Sequence, residues 1–389
     1  MEKIKILKEV SFITTVFNEE KSVILFLDSL TRQTVMPGEI IIVDGGSSDD
    51  TLNVILEYFS KIYDGNSLQK NISINNGMCH QNDNPSYKSY RSDKSYISEK
   101  LLLDGYLTCG TEVKIFYAEH TKISQGRNIA IKNSKGSFIC ISDGGCRLDS
   151  NWLYEITKYY FPTIRQSVDG NDIDAIGGYN YPYAKRFLQA LLSMCILPKK
   201  SEIEESKFMP SSRNFSFKRQ VWEAVGGYPE NMDYGEDMKF NFNLKKGGYR
   251  IKFNPDAQVF WNLRDNLKAI FKQFFRYAKG DAIGSMYLHR HLIRFFTLLV
   301  SLIIVAVSAV FSPWYLLLLL PLFMVYTYKQ VFRISYMLDN QKSCVFIKNK
   351  RQLQIFKFLS VFSIPLLLIY IDIAKMLGYI YGLAVRKKY

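Results

Sequence analysis

The sequence predicts an α/β domain on a mainly parallel sheet with helices on both faces, followed by a membrane-associated tail. Three observations carry this. Residues 9 to 59 alternate strand, helix, strand, helix: "VSFITTVF", "EEKSVILFLDSLTRQ", then "EIIIVDGGSSDDTLNVILEYFS", the spacing of βαβ units. Apolar strands end abruptly on an aspartate backed by glycines, at Asp44 and again at Asp143. From residue 295 the composition turns into long uncharged runs.

With 389 residues and 48% hydrophobic content the chain can bury a large core without staples. Cys79, Cys109, Cys140, Cys146, Cys195 and Cys344 show no metal-binding or disulfide spacing, so a reduced, cytosolic setting is expected. The N-terminus runs straight into a strand and offers no signal-peptide core. A net charge of +14 raises nucleic acid as a partner. The basic excess, however, lies beside apolar segments, in "HRHLIR" (289 to 294), "IKNKRQLQIFK" (347 to 357) and the final "RKK". That placement fits an anionic membrane face, and no nucleic acid partner is expected.

The first βαβ unit gives way at 61 to 111 to a stretch rich in Ser, Asn, Tyr, Lys and Asp, read as an inserted polar loop. Order returns with strand "VKIFYAE", helix "SQGRNIAIKNS" and strand "FICIS". Strand "RIKFNPDAQVFW" closes a domain that extends to residue 288. Residues 289 to 389 form the membrane part. Runs 295 to 311 and 314 to 328 read as a transmembrane hairpin. Both flanks are basic, which places the large N-terminal domain in the cytoplasm, on a multi-pass protein of the cell membrane. The segment from about 355 to 383 carries Asp372 and Lys375 in mid-run and reads as an interfacial or third membrane helix.

A carboxylate at the carboxyl end of a buried strand is costly to desolvate, and in open α/β sheets that end is where ligands bind. Asp143 is therefore either the anchor of an Asx-type turn or a hard oxygen for a divalent cation, with Gly144 and Gly145 leaving room for a diphosphate. Asp44 and Asp49 could likewise cap the helix near Thr51. Trp152 and Trp222 read as core, and no catalytic role falls to His289 or His291.

Four features occur in a fixed order: "TTVFNEE", "IIIVDGGSSDDT", "SDGGC" and "GED" at 235 to 237. Together with "GRNIAIKNSKGSFICISDGGC" and "RNFSFKRQVWEAVGGYPENMDYGED", they resemble a family 2 glycosyltransferase of the GT-A fold. "QFFRY" (273 to 277) resembles the QxxRW of membrane-embedded polymer synthases. The resemblance implies that Thr15, Phe17, Glu19, Asp44, Arg127 and Asp143 bind the nucleotide sugar, with Mg2+ or Mn2+ on Asp143. Asp237 would be the catalytic base, and Arg213, Asn214, Glu236, Gln273, Arg276 and Tyr277 would lie on the acceptor side. The implied activity is inverting transfer from a nucleotide-diphosphate sugar, a UDP-sugar first, to a lipid-linked or glycan acceptor. Alternatives are a processive polysaccharide synthase and a non-catalytic binding protein of the same fold. Two departures stand out: Gly45 replaces the second acidic residue of the "VDDGS" pattern, and Gly145 the second aspartate of the metal-binding DxD.

Overall fold

The computed structural model describes residues 4–62, 88–92, 95–161, 173–339, 347 and 349–386. Two compact units divide it: 1–180 with 205–233 and 237–259, and 181–204 with 234–236 and 260–389.

The first unit opens as the sequence reads, with β1 (Lys5–Val16), α1 (Val23–Thr31), β2 (Val35–Asp44) and α2 (Thr51–Ile62). Next come β3 (Lys88–Ser92), β4 (Ser95–Tyr106), β5 (Glu112–Ala118), α3 (Ile123–Lys132), β6 (Phe138–Ile141), β7 (Cys146–Leu148) and α4 (Trp152–Thr157). After β8 (Ala175–Pro182) and α5 (Phe187–Ile196) follow β9 (Phe215–Lys218), α6 (Arg219–Ala224), α7 (Glu236–Lys246) and β10 (Ile251–Trp261). The strands form one ten-stranded sheet, ordered β3-β4-β5-β2-β1-β6-β9-β8-β10-β7.

The sheet is mixed rather than mainly parallel. Its centre, β5-β2-β1-β6, is parallel, while β3-β4, β4-β5, β6-β9 and β8-β9 pair antiparallel. The expected polar loop at 61 to 111 is corrected in the same way. Its first residues finish α2, and its second half is the hairpin β3-β4. Residues 63–87 and 93–94 lie outside the described residues. "LLLDGYL" runs along β5 as a strand because Leu103 is buried beside Ile115 while Tyr106 stays exposed, the one-sided pattern of an antiparallel flank.

Neighbouring residues of β1 face opposite sides of the sheet. Phe12 packs on Phe26 of α1 and edge-on against Trp152 of α4. Ile13 belongs to the cluster of Ile129, Ala130 and Ile131 from α3, Val221 and Trp222 from α6, and Phe240 and Leu244 from α7. Helices therefore cover both faces, as the sequence predicts, and Trp152 and Trp222 are core.

The amide of Asn214, just before β9, joins three elements. Its Nδ2 donates to the carbonyls of Tyr179 (3.1 Å) and Ala257 (2.9 Å), and its Oδ1 accepts from Trp152 Nε1 (2.8 Å). Asn214→Ala strands these three groups in a dry core, so a destabilisation of about 3 kcal/mol is expected, read as a lower thermal unfolding midpoint with unchanged far-UV circular dichroism at low temperature.

The second unit holds α5, α8 (Leu267–Ile283), α9 (Leu288–Val310), α10 (Leu319–Asp339) and α11 (Lys350–Val385). Its core gathers Leu191, Leu192 and Met194 of α5, Ile270 and Phe274 of α8, Ile334 of α10, and Ile364, Leu367 and Ile371 of α11. Gly378 and Gly382 of α11 sit against the backbone of α8 at Phe275 and Lys279, where a Cβ would overlap it, so the two helices touch through small residues.

Among the described residues three segments are long and apolar enough to cross a membrane: Leu288–Val310, Pro313–Ile334 and Lys350–Val385. The last is a single helix of 36 residues, long enough for a third crossing. Its mid-run charge is paired within the unit. Asp372 accepts from Arg294 Nε (2.9 Å) and Tyr326 OH (2.7 Å), with Lys375 Nζ 4.0 Å away. His291 pairs with Asp281 (3.0 Å) and stacks on Tyr379. An alkaline carbonate wash of membranes is expected to leave the chain in the pellet and detergent to release it; release by carbonate alone would show that these helices do not insert.

Candidate active site

The carboxyl ends of β2, β1 and β6 lie side by side. The register Val16↔Asp44 and Ile13↔Ile141 brings the loops after all three to one edge of the sheet. Thr15 lies in the last residues of β1 and Phe17 and Glu19 follow it to this edge, Asp44 ends β2, and Asp143 follows β6.

Asp44 is fully buried. Its Oδ1 accepts from Gly46 N (2.9 Å) and Ser47 N (2.8 Å), holding a turn that needs glycine at Gly46, where φ is 91°. Its Oδ2 accepts no hydrogen bond among the described residues. A buried carboxylate oxygen without a donor is a standing cost, and it is removed by any ligand that brings an N–H. Asp49, by contrast, accepts from Thr51 N at the start of α2 (3.1 Å). Burial opposes its charged form, yet the Thr51 hydrogen bonds hold its carboxyl below the ordinary carboxylate value. Of the two candidate helix caps, Asp49 takes that part.

Asp143 sits in the turn between β6 and β7, closed by Cys146 N donating to its carbonyl (3.1 Å). Two guanidiniums flank its carboxylate: Arg127 Nη2 at 3.0 Å from Oδ1 and Arg213 Nε at 3.7 Å from Oδ2. Arg213 thus lies beside the donor-side carboxylate. It arrives there because β6 and β9 pair with Ile141 opposite Phe215, and Ser142 Oγ donates to the Arg213 carbonyl (2.8 Å). Cys146 adds no nucleophile, since burial, with the Asp143 charge beside it, pushes its thiol far above the ordinary value.

Arg127 is brought to this point by α3, whose Gly126 lies on the Thr15 side chain so closely that a Cβ would come within 2.8 Å of its Cγ2. Next to it, Asn128 receives Trp222 Nε1 (3.1 Å) and Tyr228 N (3.0 Å) and donates to the Tyr228 carbonyl (2.9 Å). Tyr228 is then fixed with its ring 5.3 Å from the Arg127 guanidinium, a cation–π contact. Sequence reasoning misses Tyr228; its only signal is the glycine pair before it. The same ring stacks on Phe240 (4.3 Å), one turn after Asp237. Packing therefore links the Asp143 cluster to the start of α7, where Asp237 is part-exposed with Oδ1 accepting from Met238 N (2.8 Å).

Phe17 is 58% exposed, an aromatic face open to a ring. Glu19 turns its carboxylate onto Gly145. Asn214 faces inward, as described above, with its amide spent on the sheet. In the second unit, Gln273 Nε2 donates to Tyr277 OH (2.8 Å) on α8, Arg276 lies 4.9 Å over the Tyr234 ring, and Glu236 is buried.

Among the described residues no three His, Cys, Asp or Glu side chains gather. The donor set nonetheless suits a hard cation. Mg2+ is commonly held by one or two carboxylates plus substrate phosphates and water, and Asp143 is a carboxylate with two arginines ready to take an anion.

Comparison with known proteins finds glycosyltransferases. The profile of "Glycosyl transferase family 2" matches residues 11–79, and that of "Glycosyl transferase family group 2" matches residues 184–329. The glycosyltransferase AglE of Haloferax volcanii is 23% identical over 70% of this chain and 72% of its own. The O-antigen chain rhamnosyltransferase RfbN of Salmonella typhimurium is 22% identical over 60% of each chain. The mannosyltransferase PcManGT of Pyrobaculum calidifontis, solved with GDP-Man and Mn2+, overlaps 98% of this chain and 87% of its own at 14% identity and a TM-score of 0.48. An overlap of that size leaves the fold to be read from the sheet topology and the profiles.

Proposed function

Because the chain belongs to glycosyl transferase family 2, we propose that it transfers a sugar, with inversion, from a nucleotide-diphosphate sugar to a lipid-linked or glycan acceptor at the cytoplasmic face of a membrane. The observation that carries this reading is the pair of strand-end carboxylates: Asp44 with an open buried oxygen, and Asp143 between two arginines.

Asp44 Oδ2 accepts an N–H of the base, and the exposed ring of Phe17 and the side chain of Thr15 line base and ribose. Arg127 and Arg213 exchange part of their hold on Asp143 for the diphosphate, which develops charge as the sugar leaves. Asp143 is the residue that would hold Mg2+ or Mn2+, which when bound neutralises that charge. Asp237 removes the proton of the acceptor hydroxyl as it attacks, and a single displacement inverts the anomeric centre. Arg213 serves the acceptor as well as the donor, and in the second unit Glu236, Gln273, Arg276 and Tyr277 are the residues that the resemblance assigns to an acceptor. Three apolar helices keep the chain at the membrane, where a lipid acceptor lies.

The test is a panel of nucleotide sugars, UDP-sugars first, offered with a membrane lipid extract to the purified chain, the product's anomeric configuration being read by NMR. Transfer from one donor with inversion is expected. Retention would remove the single-displacement reading, and a ladder of long products would favour the processive alternative.

A further inference from the structure

We propose that Glu19 supplies the second carboxylate of the cation site, in the place where the family pattern has an aspartate and this chain has Gly145. The inference rests on the reading of a nucleotide-diphosphate sugar bound with a divalent cation.

Three observations support the exchange. First, the atoms nearest to a Cβ built on Gly145 all belong to the Glu19 carboxylate: Oε2 at 3.3 Å, Oε1 at 3.4 Å and Cδ at 3.6 Å. Both oxygens occupy the room that an aspartate side chain at 145 would take.

Second, the backbone at Gly145 does not require glycine. It is absent from the positive-φ residues, whereas Gly46, in the companion turn, has φ 91°. An L-residue could stand at 145 without backbone strain. What glycine provides there is space, and Glu19 fills it.

Third, Glu19 is held rather than free to wander. Its N–H donates to Thr51 Oγ1 (2.7 Å), and its carbonyl accepts from Ser22 N and Val23 N (2.9 Å each). The Ser22 hydroxyl donates to Oε2. The preceding Asn18 takes the left-handed conformation, φ 56°, with its side chain accepting from Ser48 N (2.8 Å). A carboxylate fixed this way gives up little rotamer entropy when it meets a ligand.

The loops after β1 and β6 leave the sheet side by side, so a carboxylate moved from the second loop to the first still faces Asp143's turn. One or two carboxylates with phosphate and water complete the coordination of Mg2+ or Mn2+. An aspartate at 145 beside Glu19 would instead press two like charges together.

The test uses the full chain in detergent, Mn2+ as the metal, and UDP and GDP as probes. Bound Mn2+ is counted by electron paramagnetic resonance and nucleotide affinity by calorimetry, so no turnover is needed. Glu19→Gln keeps shape and the Ser22 contact but removes the charge. Its Mn2+ affinity in the presence of nucleotide should fall at least about tenfold, the lower end of what losing even an outer partner of a metal costs. The double variant Glu19→Ala, Gly145→Asp puts the carboxylate back at the family's position and should restore Mn2+ binding, while Gly145→Asp alone should weaken it.

Unchanged Mn2+ affinity in Glu19→Gln, or a double variant that stays as weak as Glu19→Gln, would overturn the assignment of Glu19. Nucleotide affinity that is the same with Mn2+ and with EDTA in the unaltered chain would instead overturn the cation reading itself, and this inference with it.

Discussion

Asp143→Asn is expected to lower turnover by about 10³-fold, the equivalent of roughly 4 kcal/mol of charge stabilisation at the leaving diphosphate. Asparagine keeps the size of the side chain but cannot neutralise a cation, and Gly145 offers no carboxylate of its own. The variant also frees Arg127 and Arg213 from their shared anion. Nucleotide binding without metal should therefore persist, while stimulation by Mg2+ or Mn2+ disappears. The unaltered chain in EDTA and Asp143→Asn in Mg2+ should then behave alike. Because Arg127 is buried and loses a partner, the variant will be less stable, and rates belong well below its melting temperature. Full activity with intact metal stimulation would remove Asp143 from the site.

Asp237→Asn is expected to lower turnover by about 10² to 10⁴, the range for a missing general base, and to leave donor affinity within a few fold. Asparagine retains an oxygen for the Met238 N–H, so the start of α7 keeps its local hydrogen bond. The separation of effects matters more than the size of either. Asp237 is linked to the donor cluster through Tyr228 and Phe240, which carry position rather than charge. Equal loss of donor binding and turnover would place Asp237 in the nucleotide site; near-normal turnover would place the base elsewhere.

What the sequence makes legible follows from where its signals are local. The centre of the sheet is readable because each of β1, β2 and β6 is an apolar run stopped by a polar turn, and the helices between them carry a clear apolar face. Asp44 and Asp143 are readable for the same reason, since a charge at the end of a buried strand is costly to desolvate and so stands out. The hairpin β3-β4 is not, because it is an edge element whose Ser, Lys and Tyr content matches that of a solvated loop. Arg213 is placed on the acceptor side by the family resemblance of its stretch, and only the antiparallel pairing of β6 with β9, distant in sequence, brings it beside Asp143. Tyr228 has no signal beyond the glycine pair before it, being placed by hydrogen bonds with Asn128 rather than by any periodicity. Asn214 is the reverse case: its position next to Arg213 suggests a shared role, while its amide is spent on Trp152, Tyr179 and Ala257.

The most direct test of the central claim, that this chain moves sugar from a nucleotide diphosphate to an acceptor, is to count both products in one reaction. The purified full chain, in detergent with a membrane lipid extract and its preferred nucleotide sugar, is followed by mass spectrometry for released nucleoside diphosphate and for glycosylated acceptor. The account predicts one nucleoside diphosphate for each sugar transferred, with both products lost together in Asp237→Asn. No nucleoside diphosphate from any donor, or equal release by Asp237→Asn and the unaltered chain, would contradict it.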